Sequence, residues 1–380
     1  MRIAIVRKKY VFHGGAEGFS QSLVQRLAAA GHEVHIYAIG WSGEAGQKGV
    51  TMHRVPVLGA TSLLRDLSFA LVSARLLKKD RTRLDIIQSH DKTLFQDVYR
   101  AGDGCHIEWL GQRWKRAGLP EKLSIGLNPY HWMILLLERT IFRSRKYRRI
   151  IAISELVKRN IMEHYDVPEA DIDVVYNGVD LVKYRPENRD LYRAELRRQY
   201  GIPDDAFVIL FVGSGFERKG VGTLIRAAEL LDRPVTVLIA GRGRDGRYRK
   251  LARRQRVVFC GPQKQIERYY AAADLFVFPT IYEPFGNVHL EALASGLPVI
   301  TTRSSGAAEI IRDGVQGFAV SDSDDAAAVA SSIAVFFDRG VRERAGREAR
   351  KLAEEFGFER YVKTVTALYE AVLAERRTGG

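Results

Sequence analysis

Apolar and polar positions follow two alternating rhythms along this chain. Short apolar runs, such as residues 2–6 and 84–90, alternate with segments such as 19–32 and 63–79, where apolar residues recur every three or four positions. A short apolar run bounded by turn residues is typical of a buried strand, and the longer spacing is typical of an amphipathic helix. Strands that alternate with helices predict an α/β fold built on a parallel, doubly wound sheet.

The same rhythm begins again in the second half of the chain. Residues 207–215 form an apolar run that ends in a glycine turn, and further strands and helices follow it. Residues 183–200 are polar and charged, and they are predicted to be a connector. Residues 357–377 have the pattern of one long amphipathic helix. The sequence therefore predicts two Rossmann-like domains, with the boundary between them near residues 170–200.

The strong basic charge of the chain narrows the choice of partners. The 380 residues carry a formal net charge of +14. Such a charge favours an anionic partner, which could be nucleic acid, anionic lipid or a phosphorylated substrate, although it could also be ordinary solvated surface. No motif of a nucleic-acid-binding domain accompanies the charge, so nucleic acid is not expected as a partner.

The sequence predicts a cytoplasmic protein. No apolar run reaches the ~18–20 residues that a membrane-spanning helix needs. Residues 1–10 contain one short apolar stretch that predicts a first strand rather than a signal peptide. Cys105 and Cys260 lie far apart in the sequence and have no metal-site spacing, which suits a reducing compartment.

The segment Glu283–Glu291, EPFGNVHLE, carries two carboxylates next to a predicted strand end. The strand ends near Thr280, and Glu291 lies about one turn into the helix that follows. Ligands of open α/β sheets bind at the carboxyl edge of the strands, and backbone N–H groups at a helix start can bind phosphate or sugar oxygens. Carboxylates accept hydrogen bonds from hydroxyl groups. For two glutamates alone, favourable acidic residues at a helix start would be the simpler interpretation.

A second candidate site is the glycine turn of the C-terminal half, VGSGFERKG. Gly213 and Ser214 allow a close approach of the backbone to a ligand, and Arg218 and Lys219 follow at the start of the next helix. Two cations at that position could clamp a diphosphate. The alternative is a tight strand-to-helix turn with solvated charges.

Two weaker candidates lie in the N-terminal half. Gly14 and Gly15 follow the first strand, and their N–H groups could face the same diphosphate. The pattern is not GxGxxG and no acidic residue ends the second strand, so a nicotinamide cofactor is disfavoured. Asp103 and His90 follow later strands, and each could instead be a structural hydrogen-bonding group.

Sites for metal ions or covalent catalysis are not expected. The strings DID at 171–173 and DSD at 322–324 fit a DxD metal pattern, but the first enters a strand and the second precedes an alanine-rich helix, where a helix-capping role is favoured. No Ser-His-Asp or Cys-His arrangement stands out.

Together these strings resemble a known family. EPFGNVHLE, with ALASGLPVITT behind it, resembles the E-x7-E signature of retaining GT-B glycosyltransferases of family 4, and FERKG and VVYNGVD fit the same family. More narrowly, YVFHGG, VGSGFERKG, AAADLFVFPT and the aspartate in DVYRAGDGC resemble the lipopolysaccharide core glucosyltransferase I group. Members of that group add an α-linked glucose to inner-core heptose from UDP-glucose. One departure is Phe19, because core members have an acidic residue shortly after the first glycine pair.

The resemblance implies a specific architecture. It is an α/β GT-B fold, in which two Rossmann-like domains face an interdomain cleft and a C-terminal helix crosses back to the N-terminal domain. Residues 1–170, completed by helix 358–377, would form the acceptor-side domain. Residues 171–357 would bind the donor nucleotide. The enzyme would use no metal or other cofactor.

The resemblance also implies roles for the candidate residues. Glu291 would hold the donor ribose and Glu283 the hydroxyls of the transferred sugar, while Arg218 and Lys219 would neutralise the leaving diphosphate. Asp103 would lie beside the reacting sugar, so that Asp103, Glu283, Arg218 and Lys219 form the catalytic set. The remaining donor-binding positions would be Gly14, Gly15, Gly213, Ser214, Phe285, Gly286, Asn287 and Val288.

The expected activity is retaining transfer of a hexose, glucose, from a UDP-sugar to a lipopolysaccharide-core or other membrane-associated glycan. GDP-mannose or another donor for a different polysaccharide or glycolipid stays open, as does a sugar-nucleotide epimerase of the same fold.

Residues 106–150 carry the expected contact with the membrane. This segment contains Trp109, Trp114 and Trp132, and six of the eleven residues in 139–149 are Arg or Lys. Aromatic and basic residues together suit a membrane interface, where each Lys or Arg near an anionic surface contributes roughly 1 kcal/mol. The protein is therefore expected to be cytoplasmic and peripheral on the inner membrane. Core packing next to a solvated basic helix is the alternative.

Overall fold

The computed structural model describes residues 1–10, 15–41 and 48–378. The chain forms two compact units, of which the first comprises Met1–Tyr176 with Glu359–Gly380 and the second comprises Asn177–Phe358. Each unit is built on a parallel sheet, which confirms the α/β fold with two Rossmann-like domains. The acceptor-side and donor-side roles of the two units stay predictions.

The first unit contains a seven-stranded sheet with the order β5-β3-β1-β6-β7-β8-β9 and a separate pair of short strands, β2 and β4. Its central strands are buried, because Ile3, Ile5 and Ile86 have no exposed surface. The strands are β1 (Arg2–Val6), β2 (Lys9–Tyr10), β3 (Glu33–Ala38), β4 (Gly40–Trp41), β5 (Val50–Arg54), β6 (Ile86–Ser89), β7 (Val98–Ala101), β8 (Arg149–Ala152) and β9 (Ile172–Val174). The helices are α1 (Gly15–Ala29), α2 (Ser62–Lys79), α3 (His106–Arg116), α4 (Leu119–Leu127), α5 (Pro129–Ser144) and α6 (Glu155–Tyr165).

The segment that interrupts the sequence rhythm forms the three helices α3, α4 and α5 between β7 and β8. Helix α5 belongs to the core, since Met133, Ile134 and Leu137 pack against Ala70 of α2. Most of the apolar run of α5 is therefore structural, although Leu136 is 63% exposed. Three leucines of α4, Leu119, Leu123 and Leu127, are mostly exposed, whereas Ile125 of the same helix is buried.

The second unit contains a six-stranded parallel sheet with the order β12-β11-β10-β13-β14-β15. Its elements are α7 (Asn188–Gln199), β10 (Phe207–Val212), α8 (Val221–Glu229), β11 (Val235–Ala240), α9 (Gly246–Arg249), β12 (Arg256–Gly261), α10 (Glu267–Ala272), β13 (Leu275–Phe278), α11 (Asn287–Ala294), β14 (Val299–Thr302), β15 (Gly317–Val320), α12 (Ala326–Val335) and α13 (Arg339–Glu354). The continuous apolar runs of β11 and β13 are fully buried, as a parallel sheet covered on both faces requires.

The prediction that residues 183–200 form a connector is wrong for most of this segment. Residues 188–199 form helix α7, which is held against the sheet mainly by arginines, with Leu196 as a buried apolar residue. Arg197 is buried and its Nη2 lies 2.9 Å from Oδ2 of Asp274, while Arg193 lies 2.8 Å from the other oxygen. A helix that packs through guanidinium groups has no apolar periodicity to reveal it.

The last helix of the chain, α14 (Phe358–Thr378), packs on the first unit as predicted. Tyr369 donates a hydrogen bond of 2.8 Å to Oε1 of Gln88 on β6. The ring of Tyr361 meets the ring of Phe19 edge-on, with 4.9 Å between their centroids. Phe19, which stands where core enzymes carry an acidic residue, is therefore part of the packing that holds α14.

Candidate functional site

Two of the predicted donor loops follow adjacent strands in the middle of the second sheet. Strand β10 lies next to β13, although β11 and β12 come between them in sequence. The loop at 213–220 follows β10, and the loop at 279–286 follows β13. Ligands of doubly wound sheets bind outside the carboxyl ends of the strands where the strand order reverses. The two loops occupy that position in this unit.

The carboxylate of Glu283 lies between these loops. Its Oε2 is 3.3 Å from Nη1 of Arg218 and 3.5 Å from Nζ of Lys219. Burial alone would raise the pKa of Glu283, but Lys219 and Arg218 outweigh burial and hold this pKa below its ordinary value. Glu283 is therefore ionised at neutral pH, and the structure brings it together with the two cations that the sequence placed in a separate motif.

Backbone hydrogen bonds tie the two loops to each other. The carbonyl of Arg218 accepts from the N–H of Ile281 at 2.8 Å and from Oγ1 of Thr280 at 3.1 Å. The Arg218 guanidinium in turn donates to the carbonyl of Tyr282 at 2.9 Å. The cation and the carboxylate therefore have fixed positions relative to one another, which a preorganised site needs.

Gly286 gives the second loop its shape. Its φ is +81°, and a Cβ there would lie 2.8 Å from Nδ1 of His289 and 3.0 Å from Cγ of Glu283. His289 is buried, donates from Nδ1 to the carbonyl of Gly286 at 2.8 Å, and contacts Oγ1 of Thr301 at 2.9 Å. Burial lowers the pKa of His289 to about 4, so the imidazole is neutral at pH 7.

Glu291 lies on the first turns of α11 with two tyrosines around it. Tyr270 donates a hydrogen bond of 2.9 Å to Oε2 of Glu291, and Tyr184 is a further hydrogen-bond donor to this carboxyl. Burial raises the pKa of Glu291 above its ordinary value, against the opposing effects of Tyr270 and Lys183. A half-buried carboxylate of this kind can accept paired hydrogen bonds from two neighbouring hydroxyls.

The other residues of this loop are positioned by packing and by hydrogen bonds. Phe285 is fully buried, so only its backbone can meet a ligand. Oδ1 of Asn287 accepts a 2.6 Å hydrogen bond from Asn177, and the carbonyl of Val288 accepts one of 3.3 Å from Tyr270. These contacts fix the start of α11, where the backbone N–H groups of a helix can bind an anion.

Gly213 and Ser214 shape the loop after β10. A Cβ at Gly213 would lie 2.8 Å from Cδ of Lys219, so glycine lets the lysine fold back over the strand end. Oγ of Ser214 accepts a 3.1 Å hydrogen bond from the N–H of Arg242 in the neighbouring loop. Gly213 therefore helps to place Lys219 near Glu283, while Ser214 ties its loop to the neighbouring one.

In the first unit, Asp103 is exposed in the turn between β7 and α3. Behind it, Lys92 and the buried Glu138 form an ion pair of 3.3 Å. Burial alone would lower the pKa of Lys92, but Glu138, with smaller contributions from Tyr99 and Asp103, raises it above its ordinary value. Asp103 is therefore an accessible carboxylate next to a charged pair at the carboxyl end of the first sheet.

The remaining candidates of the first unit are His90, Gly14 and Gly15. His90 is buried, its Nε2 lies 2.6 Å from Nε2 of Gln88, and burial keeps its pKa well below the ordinary value. It is thus a structural group of the core. Gly15 is the first residue of α1, while Gly14 lies outside the described residues.

Several residues of the site were not found from the sequence. Tyr184 and Lys183 lie in the predicted connector, which carries no sign of a role. Tyr270 follows an ordinary helical pattern. Asn177 and His289 lie within the strings VVYNGVD and EPFGNVHLE that carry the family resemblance, so their presence in those strings could have identified them.

The DxD strings have ordinary structural surroundings. The residue that caps α12 is Asp325, which accepts a 2.8 Å hydrogen bond from the N–H of Ala328, so the capping role predicted for 322–324 falls one residue later. In the described parts of the chain, no three His, Cys, Asp or Glu side chains are grouped as metal ligands. Within those same parts, no helix is long and apolar enough to span a membrane.

Two family models match the chain, one in each half. Residues 13–183 match the model of Glycosyltransferase Family 4, and residues 192–352 match that of Glycosyl transferases group 1. The chain is therefore a glycosyltransferase, with a family 4 domain in its first half and a group 1 domain in its second half. This glycosyltransferase is 27% identical to the lipopolysaccharide glucosyltransferase WaaG of Escherichia coli, over 85% of its own length and 86% of that of WaaG. It is 26% identical to an uncharacterised glycosyltransferase of Methanocaldococcus jannaschii, over 98% and 99% of the two chains.

Solved structures agree on the fold. The crystal structure of WaaG superposes with a TM-score of 0.80 at 22% identity, over 97% of this glycosyltransferase and 99% of WaaG. This match confirms the GT-B fold. A different relative is the D-inositol 3-phosphate glycosyltransferase of Salinispora tropica, which is 32% identical over 60% of this chain and 52% of its own length.

Proposed function

We propose that this glycosyltransferase transfers a hexose, glucose, from a UDP-sugar to a lipopolysaccharide-core or other membrane-associated glycan, with retention of the anomeric configuration. The similarity to WaaG over most of both chains supports glucose as the sugar and the lipopolysaccharide core as the acceptor. Anabaena HepE, which has the same fold with a TM-score of 0.73, was solved in complex with UDP-glucose and supports UDP as the carrier.

The observation that carries this proposal is the position of Glu283 between Arg218 and Lys219 at the reversal point of the second sheet. The two cations would neutralise the diphosphate of the donor, and Glu283 would accept hydrogen bonds from hydroxyls of the sugar joined to it. Glu291, at the start of α11, would accept from the ribose hydroxyls. The N–H groups at Gly286 and Asn287 would bind phosphate or sugar oxygens.

Catalysis would then consist of positioning and charge stabilisation. As the glycosidic bond to the diphosphate breaks, negative charge grows on the leaving oxygen, where Arg218 and Lys219 would stabilise it. The leaving phosphate oxygen would take the proton of the acceptor hydroxyl, which attacks the same face of the sugar. Asp103 would lie beside the reacting sugar. No resident metal or other cofactor is needed for these steps.

The acceptor would be reached at an anionic membrane through helices α3 and α4. Leu119, Leu123 and Leu127 are four residues apart on α4, and their exposed fractions are 80%, 63% and 74%. Next to them, Nζ of Lys122 lies 5.6 Å from the centre of the Trp114 ring. An apolar helix face bordered by basic side chains is the arrangement that inserts into the headgroup region of anionic lipid. We therefore propose a peripheral location on the cytoplasmic face of the inner membrane.

A calorimetric titration with nucleotide sugars tests the donor. UDP-glucose should bind the parent protein, and Glu291→Gln should weaken this binding at least tenfold because it removes the charged acceptor for the ribose. Glu354→Gln is the matched control, since Glu354 is an exposed carboxylate on α13 of the same unit that pairs with Arg350. If GDP-mannose binds the parent while UDP-glucose does not, the donor assignment is wrong.

A second candidate is transfer to a phosphorylated polyol, which the similarity to D-inositol 3-phosphate glycosyltransferases favours. Inositol 3-phosphate and truncated lipopolysaccharide should be compared as acceptors with the same donor. An epimerase would instead change the sugar without releasing UDP.

A further inference from the structure

The second unit contains a large cavity that the donor site does not use. Its volume is about 880 Å³, which is within the range of small-molecule pockets and far larger than one phosphate ion. Its floor is formed by Phe207, Asp274 and Pro298, which lie at the amino ends of β10, β13 and β14. The cavity is therefore at the edge of the sheet opposite to the donor loops.

Basic side chains from two helices face this cavity. Helix α7 contributes Arg189 and Arg193, and helix α13 contributes a row that includes Arg342 and Arg347. In total, seven Arg or Lys residues and four Asp or Glu residues line the cavity. Arginine is the side chain best suited to phosphate, because its planar N–H groups can bind two oxygens at once.

Three of these arginines lack a carboxylate partner. Among the described residues, Arg189, Arg342 and Arg347 form no ion pair, whereas Asp274 is already shared by Arg193 and Arg197. Nη2 of Arg189 has one hydrogen bond, at 3.1 Å to the carbonyl of Ala273.

The positive charge in the cavity is therefore under-compensated. Burial, together with the neighbouring Arg193, lowers the pKa of Arg189 to about 10, although Asp274 acts in the opposite direction. Arg342 donates to the carbonyl of Phe336 at 2.6 Å and lies over the ring of Phe207. A carboxylate near Arg342 and Arg347 on α13 is Glu343, whose ion pair is with Arg339. A half-buried arginine that interacts mainly with neutral groups retains its attraction for an anion.

We propose that this cavity binds a small molecule with two linked phosphate groups. One phosphate would contact Arg189 and Arg193 on α7, and the other would contact Arg342 and Arg347 on α13. Strand β10 runs from the cavity to the donor loop over six residues, so the two sites are roughly 15–20 Å apart. The proposal concerns a second site and does not depend on the proposed donor or acceptor.

Calorimetric titration with inorganic pyrophosphate tests this site. Arg218→Ala is used as the background, because it weakens any binding of pyrophosphate at the donor loops. This variant should still bind pyrophosphate, and adding Arg189→Gln with Arg342→Gln should weaken the binding at least tenfold. Arg198→Gln with Arg253→Gln is the matched control, since it removes the same charge from exposed positions outside the cavity and should change the affinity less than twofold.

Two further measurements make the outcome decisive. In phosphate-free buffer, the Arg189→Gln, Arg342→Gln variant should unfold at the same temperature as the parent or higher, which separates lost binding from lost folding. The same variant with Arg218 intact should bind UDP-glucose as the parent does. Pyrophosphate binding that is absent in Arg218→Ala, or that is unaffected by the cavity substitutions, overturns the proposal. Failure of UDP-glucose to bind the parent would overturn only the proposed donor.

Discussion

At the scale of single residues, the proposed donor site depends on the backbone conformation of Gly286. Its positive φ and the short distances from an added methyl group to His289 and Glu283 leave no room for a side chain. The neutral His289 holds the carbonyl of the same residue. Gly286 and the buried His289 therefore help to set the position of the Glu283 carboxylate, together with its contacts to Arg218 and Lys219.

The substitution Gly286→Ala should both destabilise the second unit and weaken donor binding. We expect a loss of about 1–3 kcal/mol in the free energy of unfolding, from backbone strain and displaced neighbours, together with weaker binding of UDP-glucose. Gly314→Ala is the control, because Gly314 has a similar φ of +78° but no atom within 4 Å of the added methyl position. It should cost less stability and leave the affinity for UDP-glucose unchanged. Equal effects of the two substitutions would show that Gly286 matters only through its φ.

The sequence could predict Glu283 and Glu291 as residues of the proposed donor site, but it could not predict the contacts that hold them. Glu283 and Glu291 were found because they lie in a specific string next to a strand end. The hydrogen bonds of Glu291 with Tyr270 and Tyr184 could not be found, because these tyrosines come from α10 and from the segment before α7. Contacts between residues distant in sequence depend on the packing of whole elements.

At the scale of elements, helix α7 is attached to its sheet mainly by polar contacts. Arg197 is 1% exposed, donates to the carbonyls of Pro203, Asp204 and Ala206, and pairs with Asp274. Apolar periodicity predicts elements that pack through apolar side chains, as the strands of both sheets do. Apolar periodicity did not predict α7. It also did not predict β2 and β4, because strands of two residues are too short to show an alternation of apolar and polar positions.

Replacing Arg197 should strongly destabilise the second unit. Arg197→Met leaves Asp274 and several carbonyl groups without one of their donors, and we expect a loss of about 3 kcal/mol or more in the free energy of unfolding. The neighbouring Arg198 is exposed and serves as the control, so Arg198→Met should change stability by less than about 0.5 kcal/mol. Chemical denaturation followed by circular dichroism measures both. A loss below about 1 kcal/mol for Arg197→Met would contradict the role of this helix anchor.

The exposed leucines of α4 are predicted to contribute to membrane binding. Changing Leu119, Leu123 and Leu127 together to serine should weaken binding to vesicles that contain phosphatidylglycerol at least tenfold, because it removes the apolar face that inserts into the lipid. Sedimentation of the protein with vesicles measures this binding.

The control for this experiment changes three exposed apolar residues of the second unit, Val182, Leu191 and Leu230, to serine. It should leave vesicle binding within twofold of the parent. Equal binding of the α4 variant and the parent would exclude α4 as the membrane contact.

At the scale of the whole molecule, buried neutral histidines make stability depend on pH. Burial lowers the pKa of His289 to about 4 and that of His106 to about 3, and it keeps the pKa of His90 well below its ordinary value. In the unfolded chain these groups bind protons below about pH 6.5, whereas in the folded protein they do not. The unfolded state therefore gains protons first as the pH falls, and stability decreases.

We expect each of these histidines to cost about 1–2 kcal/mol of stability between pH 7.5 and pH 5. In the first unit, His90 and His106 outnumber Asp173, whose raised pKa acts in the opposite direction. Scanning calorimetry should therefore show a lower unfolding temperature at pH 5 than at pH 7.5 for the first unit. In the second unit the raised pKa of Glu291 opposes the effect of His289, and His289→Gln should increase the stability at pH 5 relative to that at pH 7.5. An unfolding temperature of the first unit that stays constant or rises at pH 5 would contradict this expectation.

The division into two parallel-sheet units was accessible from sequence because both halves repeat one strand-and-helix rhythm. The packing of α14 on the first unit was accessible only through the family resemblance, since an amphipathic helix does not reveal its partner. The arginine-lined cavity was not accessible at all. It arises because the spacing of α7 and α13 along the amino edge of the second sheet brings their basic faces to one opening.

Transfer of the sugar itself is the most direct test of the proposed activity. Proton NMR should follow UDP-glucose with lipopolysaccharide truncated at the inner-core heptose, for the parent protein and for Glu283→Gln. The parent should release UDP only with the acceptor present and should form an α-linked glucose, while Glu283→Gln should transfer at least a hundredfold more slowly. A β-linked product, UDP release that does not need the acceptor, or full activity of Glu283→Gln would contradict a retaining transfer organised around Glu283.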